Sequence, residues 1–245
     1  MAITREHTAP VGPVVFDVTT VAADVIVIVE DRPAALVTVT TPADSGPAAD
    51  AVRATRFTDH PGRVSVRVQE PTGIVSTTGR GSAHIVSHGS VTINQVSGNA
   101  VVGAVFGNFN VVNGGIVIGG NMVTSGAPIT VEARLPRGSS LTCETTSADV
   151  ETSGPLTDAD VTTISGDIRI DTVRMPRLRT TSGDIRVAQL AGSCAALKTV
   201  SGDIRITAEQ AGASVSARSV SGDIRATGPD IDLDARTVSG RVTTR

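Results

Sequence analysis

Aromatic side chains are almost missing from this 245-residue chain: there is no Trp or Tyr, and Phe16, Phe57, Phe106 and Phe109 are its only rings besides histidine. A core without large rings is built from Val, Ile, Leu and Ala, and the abundance of Val, Ile and Thr favours strands. The shortage also counts against a single-strand nucleic-acid groove, which stacks bases on aromatic rings, and against a sugar cleft with ring platforms. Cysteine is equally scarce. Cys143 and Cys194 stand 51 residues apart, a spacing that forms neither a disulfide framework nor a zinc pattern. Cys143 holds a place filled later by Leu178, Leu197, Ala217 and Ala235, so it reads as a small buried apolar residue.

Charge of one sign is lacking too. There are 21 Lys and Arg against 24 Asp and Glu, for a net charge of −3, and no basic run points to nucleic acid. The longest apolar run near the start, Val25-Ile26-Val27-Ile28-Val29, is far too short to span a bilayer. Ala2 to His7 does not read as a secretory signal, so the expected location is cytoplasmic. No nucleophile elbow, phosphate-binding glycine loop or paired metal motif is present. No cofactor or metal is expected.

What the chain does have is repetition. Ser165-Gly166-Asp167-Ile168-Arg169 returns as Ser182-Gly183-Asp184-Ile185-Arg186, Ser201-Gly202-Asp203-Ile204-Arg205 and Ser221-Gly222-Asp223-Ile224-Arg225, then decays to Ser239-Gly240-Arg241-Val242. Ser147-Ala148-Asp149-Val150 is a degenerate forerunner. The serine-to-serine steps are 18, 17, 19, 20 and 18 residues. A unit this short buries a core only by stacking on its neighbours. At about 3.3 Å per residue the circuit is roughly 60 Å, enough for two or three short strands and their turns. The expected fold is all-β: a right-handed parallel β-solenoid, or β-helix, of 17–20 residues per coil, with an N-terminal β-rich capping segment. A meander of hairpins is the competing fold, although the Asn-Gly and Asp-Gly turns that hairpins favour are missing from the repeats.

Within a repeat, Val200, Gly202, Ile204 and Ile206 share one parity and are expected to face inward. Ser201, Asp203 and Arg205 share the other and face water. The residue four before each serine is also expected inward, so the chain must turn a corner just before Ser-Gly. Glycine there is expected to leave room where the wall bends or nears its opposite face.

Upstream, residues 1–12 read as a loose leader. Residues 13–72 read as the β-rich cap, with Val14, Phe16 and Val18, then Val25, Val27 and Val29, then Leu36, Thr38 and Thr40, then Val64, Val66 and Val68 alternating at a period of two. One helix is expected between Pro47 and Phe57, with Ala48, Ala51, Val52 and Ala54 on one side. Residues 73–126 hold 12 of the 25 glycines and read as short coils or hairpins, or else as a glycine-rich insertion. The solenoid repeats occupy 127–245.

An array of Ser-Gly-Asp-Ile-Arg at steps of about 18 residues resembles the bacterial putative-adhesin, β-strand-repeat family of unknown function. The segment from Ile129 to Leu141 is similar to the lead-in to that family's repeats. The resemblance implies the repeat fold but no established activity, and it is the sole ground for a surface location.

Stacking places Asp167, Asp184, Asp203 and Asp223 in one outward column and Arg169, Arg186, Arg205 and Arg225 in the next. Like charges about 5 Å apart in water repel by roughly 0.8 kcal/mol, which a neighbouring opposite column cancels. The expectation is a structural charged ladder. Its functional rival, a cation-binding or sugar-hydrolysing row, lacks the asymmetric pair of carboxyls that glycosidases use. Arg179, Lys198, Arg218 and Arg236, each three residues before a repeat serine, form a cation column that suits a polyanion or partner face, unless acids such as Asp234 and Glu209 pair with them. His84 and His88, four apart, are a weak metal pair without a third ligand.

These features point to a non-enzymatic structural or interaction protein, a stiff scaffold that binds another protein or a second copy of itself through its faces or its open C-terminal end. A polysaccharide-binding or polysaccharide-active β-helix is the alternative. Neither nucleic acid nor membrane insertion is expected.

Overall fold

The computed structural model describes residues 2–69 and 127–245, together with five strand segments between them. The N-terminal part carries β1 (Ile3–Val11), β2 (Val15–Thr19), β3 (Ala23–Glu30), β4 (Ala34–Thr41), the helix α1 (Pro47–Ala54), β5 (Arg56–His60) and β6 (Arg63–Arg67). The intervening strands are β7 (Ala83–His88), β8 (Val91–Ile93), β9 (Ala100–Phe106), β10 (Phe109–Val111) and β11 (Ile116–Val117). Then follow β12 (Ile129–Pro136), β13 (Ser140–Glu144), β14 (Val150–Ser153), β15 (Pro155–Thr162), β16 (Ile168–Arg179), β17 (Ile185–Leu190), β18 (Cys194–Lys198) and β19 (Ile204–Ala208). The last strands are β20 (Ser214–Arg218), β21 (Ile224–Thr227), β22 (Asp232–Arg236) and β23 (Val242–Thr244). The protein is all-β and β-solenoid-like, with one short helix among the described residues.

Two ladders run through the repeats. One joins β13, β15, the end of β16, β18, β20 and β22 in parallel. The other joins β14, the start of β16, β17, β19, β21 and β23, also in parallel. Each repeat serine bridges the next, from Ser147 through Ser165, Ser182, Ser201 and Ser221 to Ser239. Consecutive repeats therefore lie side by side, one coil upon the next, as the period demands.

The N-terminal strands extend both ladders. β2 lies parallel to β13 and β6 parallel to β2, while β3 lies parallel to both β14 and β12. Here the sheet becomes mixed: β4 runs antiparallel to β12 and to β1, and β5 antiparallel to β6. The parallel ladders hold through the repeats and the mixed pairing belongs to the N-terminal cap, where only β5 and β6 are joined by a short turn of the kind that favours antiparallel neighbours, while β4 pairs with strands distant in the chain. Residues 1–12 are not a loose leader either. β1 pairs with β4 from Ile3↔Thr41 to Val11↔Ala34. Arg5 Nη1 donates to the carbonyls of Arg53 and Thr55 at 2.6 and 2.8 Å, and the His7 ring stacks on Phe57 with centroids 5.0 Å apart.

The core follows the alternation. Ile168, Ile185, Ile204 and Ile224 are fully buried, as are Phe16, Val25, Val131, Leu178 and Val215. In β4 the buried set is Ala35, Val37, Val39 and Thr41, so Leu36, Thr38 and Thr40 occupy the opposite, half-buried parity. The helix stops at Ala54, short of Phe57, because Arg56–His60 is taken by β5 pairing. It buries Ala48, Ala49, Ala51 and Val52, while Ala54 is exposed.

Between the two main parts, β7, β9 and β11 pair in parallel through Ala83↔Ala100 and Ile116↔Ala100, and β8 pairs with β10 through Phe109↔Val91. The rest of the 73–126 reading lies outside the described residues. Among the described residues no helix is long and apolar enough to cross a membrane.

Candidate functional site

The corner of each coil is built from five consecutive kinds of residue. Two before the serine stands a buried hydroxyl: Thr145, Thr163, Thr180, Thr199 and Ser219, with Thr237 half-buried. Most of these hydroxyls reach back to carbonyls of the preceding coil, whereas Thr163 Oγ1 donates to Ser165 O at 3.3 Å. Thr199 Oγ1 donates to Gly183 O at 3.3 Å, Ser219 Oγ to Gly202 O at 3.2 Å and Thr237 Oγ1 to Gly222 O at 3.1 Å. This column was not anticipated, although a Thr or Ser two places before every repeat serine is visible in the sequence.

One residue before the serine, the expected inward placement is wrong. Ile164 is 56% exposed, Val200 42%, Val220 48% and Val238 84%. The inward row that begins at Leu197 continues straight to Thr199, so Val200 turns outward before the chain bends. The glycine after the serine is required by the neighbouring coil, not by the opposite wall. Gly202 has φ +148°, and a Cβ there would lie 2.1 Å from Gly183 O. Only glycine allows coils to approach so closely at positive φ.

The aspartate column does more than face water. Asp167 Oδ1 accepts the backbone N–H of Asp184 at 2.9 Å, Asp184 Oδ1 that of Asp203 at 2.8 Å, and Asp203 Oδ1 that of Asp223 at 2.8 Å. Asp223 does the same for Arg241, and Asp149 for Asp167. At the near end, Asp24 Oδ1 accepts the N–H of Asp149 at 3.2 Å. Residues 20–25 thus form an unrecognised coil, with Thr20, Ala23, Asp24 and Val25 standing where Thr145, Ala148, Asp149 and Val150 stand. The second carboxylate oxygen faces the arginine column. Arg169 pairs with Asp167 at 2.6 Å and Asp149 at 3.9 Å, and Arg205 pairs with Asp203 at 2.7 Å and Asp184 at 3.6 Å. Arg186 and Arg225 hold the same outward column.

The cation column is brought together as expected. Arg179 stands opposite Lys198, Lys198 opposite Arg218 and Arg218 opposite Arg236, all exposed. Asp234 lies 3.8 Å from Arg218 and 3.5 Å from Arg236. Glu209, the other acid considered, is not among these pairs.

Cys143 is fully buried, and desolvation followed by the charges of Glu144 and Asp17 pushes its thiol up to about 12. Cys194 is exposed. His84 and His88 lie on β7, but their side chains fall outside the described residues. Chemically, the repeat stack offers long rows of identical groups: engaged carboxylates, exposed cations and exposed aliphatics.

Comparison with known proteins gives one family. The family model described as Toastrack DUF4097 matches residues 88–245. No curated protein matches the chain. Similar solved structures include a putative adhesin from Bacteroides fragilis NCTC 9343, at 13% identity and TM-score 0.46, covering 100% of this chain and 97% of that one. Another is a putative cell adhesion protein from Clostridium sporogenes ATCC 15579, at 6% identity and TM-score 0.41, covering 99% of each chain. A third is a putative lipid binding protein from Parabacteroides distasonis ATCC 8503, at 17% identity and TM-score 0.25, covering 99% of this chain and 96% of that one.

Proposed function

The chain belongs to the Toastrack DUF4097 family, and from that premise we propose that it is a non-enzymatic interaction protein, a stiff solenoid of right-handed parallel coils whose outward face docks a polyanionic partner. The hand follows from the general rule for parallel crossovers. The observation that carries the reading is the register of Arg179, Lys198, Arg218 and Arg236, which sets one exposed cation on each of four successive coils. Strand spacing makes their backbones about 4.8 Å apart, so the column is a linear array suited to a partner with repeated negative charge. The aspartates of the neighbouring columns are engaged with backbone amides and arginines, which supports a structural role for them over a catalytic one.

Binding of the full chain to polyglutamate at low and high salt tests the reading. Binding that weakens with salt and with Arg179→Ser and Lys198→Ser supports it, and the absence of any such binding removes it. Turnover of anionic or neutral glycans by the purified chain would overturn the non-enzymatic part. A second copy is a partner only if it presents acidic groups to the column, since two like columns repel, and a single monomeric species in ultracentrifugation across a wide concentration range removes that part.

A further inference from the structure

Beside the cation column runs a second exposed row of different chemistry. Two residues after Lys198, Arg218 and Arg236 stand Val200, Val220 and Val238; Thr181 follows Arg179, and Ile164 stands one coil earlier. The four aliphatics in this row are 42–84% exposed. The residues between the rows, Thr180, Thr199 and Ser219, are buried, which turns both rows outward. Backbone bonds tie the ridge from coil to coil: Val220 N–H donates to Val200 O at 3.2 Å, and Ser239 N–H to Val220 O at 2.8 Å. The chain bends at this row, so the aliphatic tips stand on a convex edge. Over four coils the strip is about 15 Å long at the usual strand spacing.

We propose that this edge is a docking strip for an anionic lipid bilayer surface, with lipid phosphates on the cations and the aliphatic ridge seated at the boundary of headgroup and acyl chain. The inference rests on the interaction reading above and names the partner of that same face. A soluble polyanion matches the cations but leaves the aliphatic row in water. An apolar protein groove matches the row but offers the cations nothing beyond Asp234, which already stands 3.8 Å from Arg218 and 3.5 Å from Arg236. A bilayer interface presents both chemistries at adjacent depths. Long Arg and Lys side chains hold their charge at phosphate level while shorter aliphatics enter below it. Beyond the corner, the acidic row is already engaged: Asp167 and Asp203 pair with Arg169 and Arg205, and the Oδ1 atoms of Asp167, Asp184 and Asp203 accept backbone N–H groups. It therefore offers little opposition to an anionic surface.

Flotation of the full chain with phosphatidylcholine vesicles, with and without phosphatidylglycerol, tests the proposal. The expected result is binding only to vesicles containing phosphatidylglycerol, reversed by salt. Each lost cation lowers the affinity about fivefold, so the combination Lys198→Ser, Arg218→Ser, Arg236→Ser lowers it roughly 100-fold. The combination Val200→Ser, Val220→Ser, Val238→Ser also weakens binding while leaving polyglutamate binding unchanged. All six positions are exposed, and thermal unfolding checks that the variants fold; if a triple variant does not, Lys198→Ser and Val200→Ser alone give the same readout. Polyglutamate binding without vesicle binding overturns the lipid inference and keeps the interaction reading. Vesicle binding indifferent to the valine substitutions also overturns it. Failure with both probes overturns both.

Discussion

The carboxylate of Asp184 accepts the backbone N–H of Asp203 through Oδ1 at 2.8 Å, one full coil further along the chain. The same bond recurs from Asp24 to Arg241, so each coil carries an acceptor for the next. The aspartate of the repeat is thus an inter-coil fastener whose outer oxygen is left over for arginine.

Removing that acceptor separates the two roles of the residue. Asp184→Ala strips the Asp203 N–H of its partner and is expected to cost about 1–2 kcal/mol. Asp184→Asn keeps an acceptor oxygen and loses only exposed ion pairing, within about 1 kcal/mol. Urea unfolding of both variants measures the difference, and equal losses would contradict the fastener role.

Gly202 and Gly212 both have positive φ, but only at the first would a Cβ meet a neighbouring coil. Gly202→Ala combines backbone strain with a Cβ placed 2.1 Å from Gly183 O, and the expected loss is about 3 kcal/mol or more. Gly212→Ala, with nothing within 4 Å of its new Cβ, is expected to cost about 1 kcal/mol. Thermal denaturation of the pair reads the contribution of coil contact directly.

The corner predicts a sharp contrast between two aliphatics four residues apart. Ile204 is fully buried and Val200 is 42% exposed. Ile204→Ala is expected to destabilise by about 2–5 kcal/mol through the cavity it leaves. Val200→Ala stays within about 0.5 kcal/mol. Comparable losses from the two would place Val200 back in the core.

The two thiols differ in the same way. Cys194 is expected to react with a thiol reagent at neutral pH in the folded protein, and Cys143 only after denaturation. Burial raises the Cys143 thiol from 9.0 to about 12, so its neutral form is favoured in the folded state. Its contribution to stability is complete below the unfolded value and is lost as pH rises from 9.0 towards about 12. Cys143→Ala is expected to remove that part of the alkaline decline, as unfolding curves across this pH window will show.

Much of the repeat part could be read directly. The step of 17–20 residues demanded stacking, and the parity of Ile168, Ile185, Ile204 and Ile224 placed them in the core where they lie. The register of Arg179, Lys198, Arg218 and Arg236 followed from their constant offset. The direction of Val200 was not legible, because it shares the parity of Ile204 and the chain bends between the two. The buried Thr199 and Ser219 decide it instead: a hydroxyl can enter a wall where a carbonyl of the previous coil waits for it. β1 was illegible for a different reason. Arg5, Glu6, His7 and Thr8 give it no apolar face, and its order comes from pairing with β4, where partners lie 23 to 38 residues apart.

The sequence by itself determined the period, the inward isoleucines, the outward charge columns and the need for a turn at each serine, because a strand's side chains alternate and a short unit must stack. Tertiary structure alone decided what each column contacts. A carboxylate two residues after a serine meets a backbone amide, and a threonine two before it meets a carbonyl, only when another coil is laid against them at strand spacing. It also decided that the coil of Thr20 to Val25 joins the stack, since the fit of one layer upon the next tolerates a wording that repetition in the chain does not display.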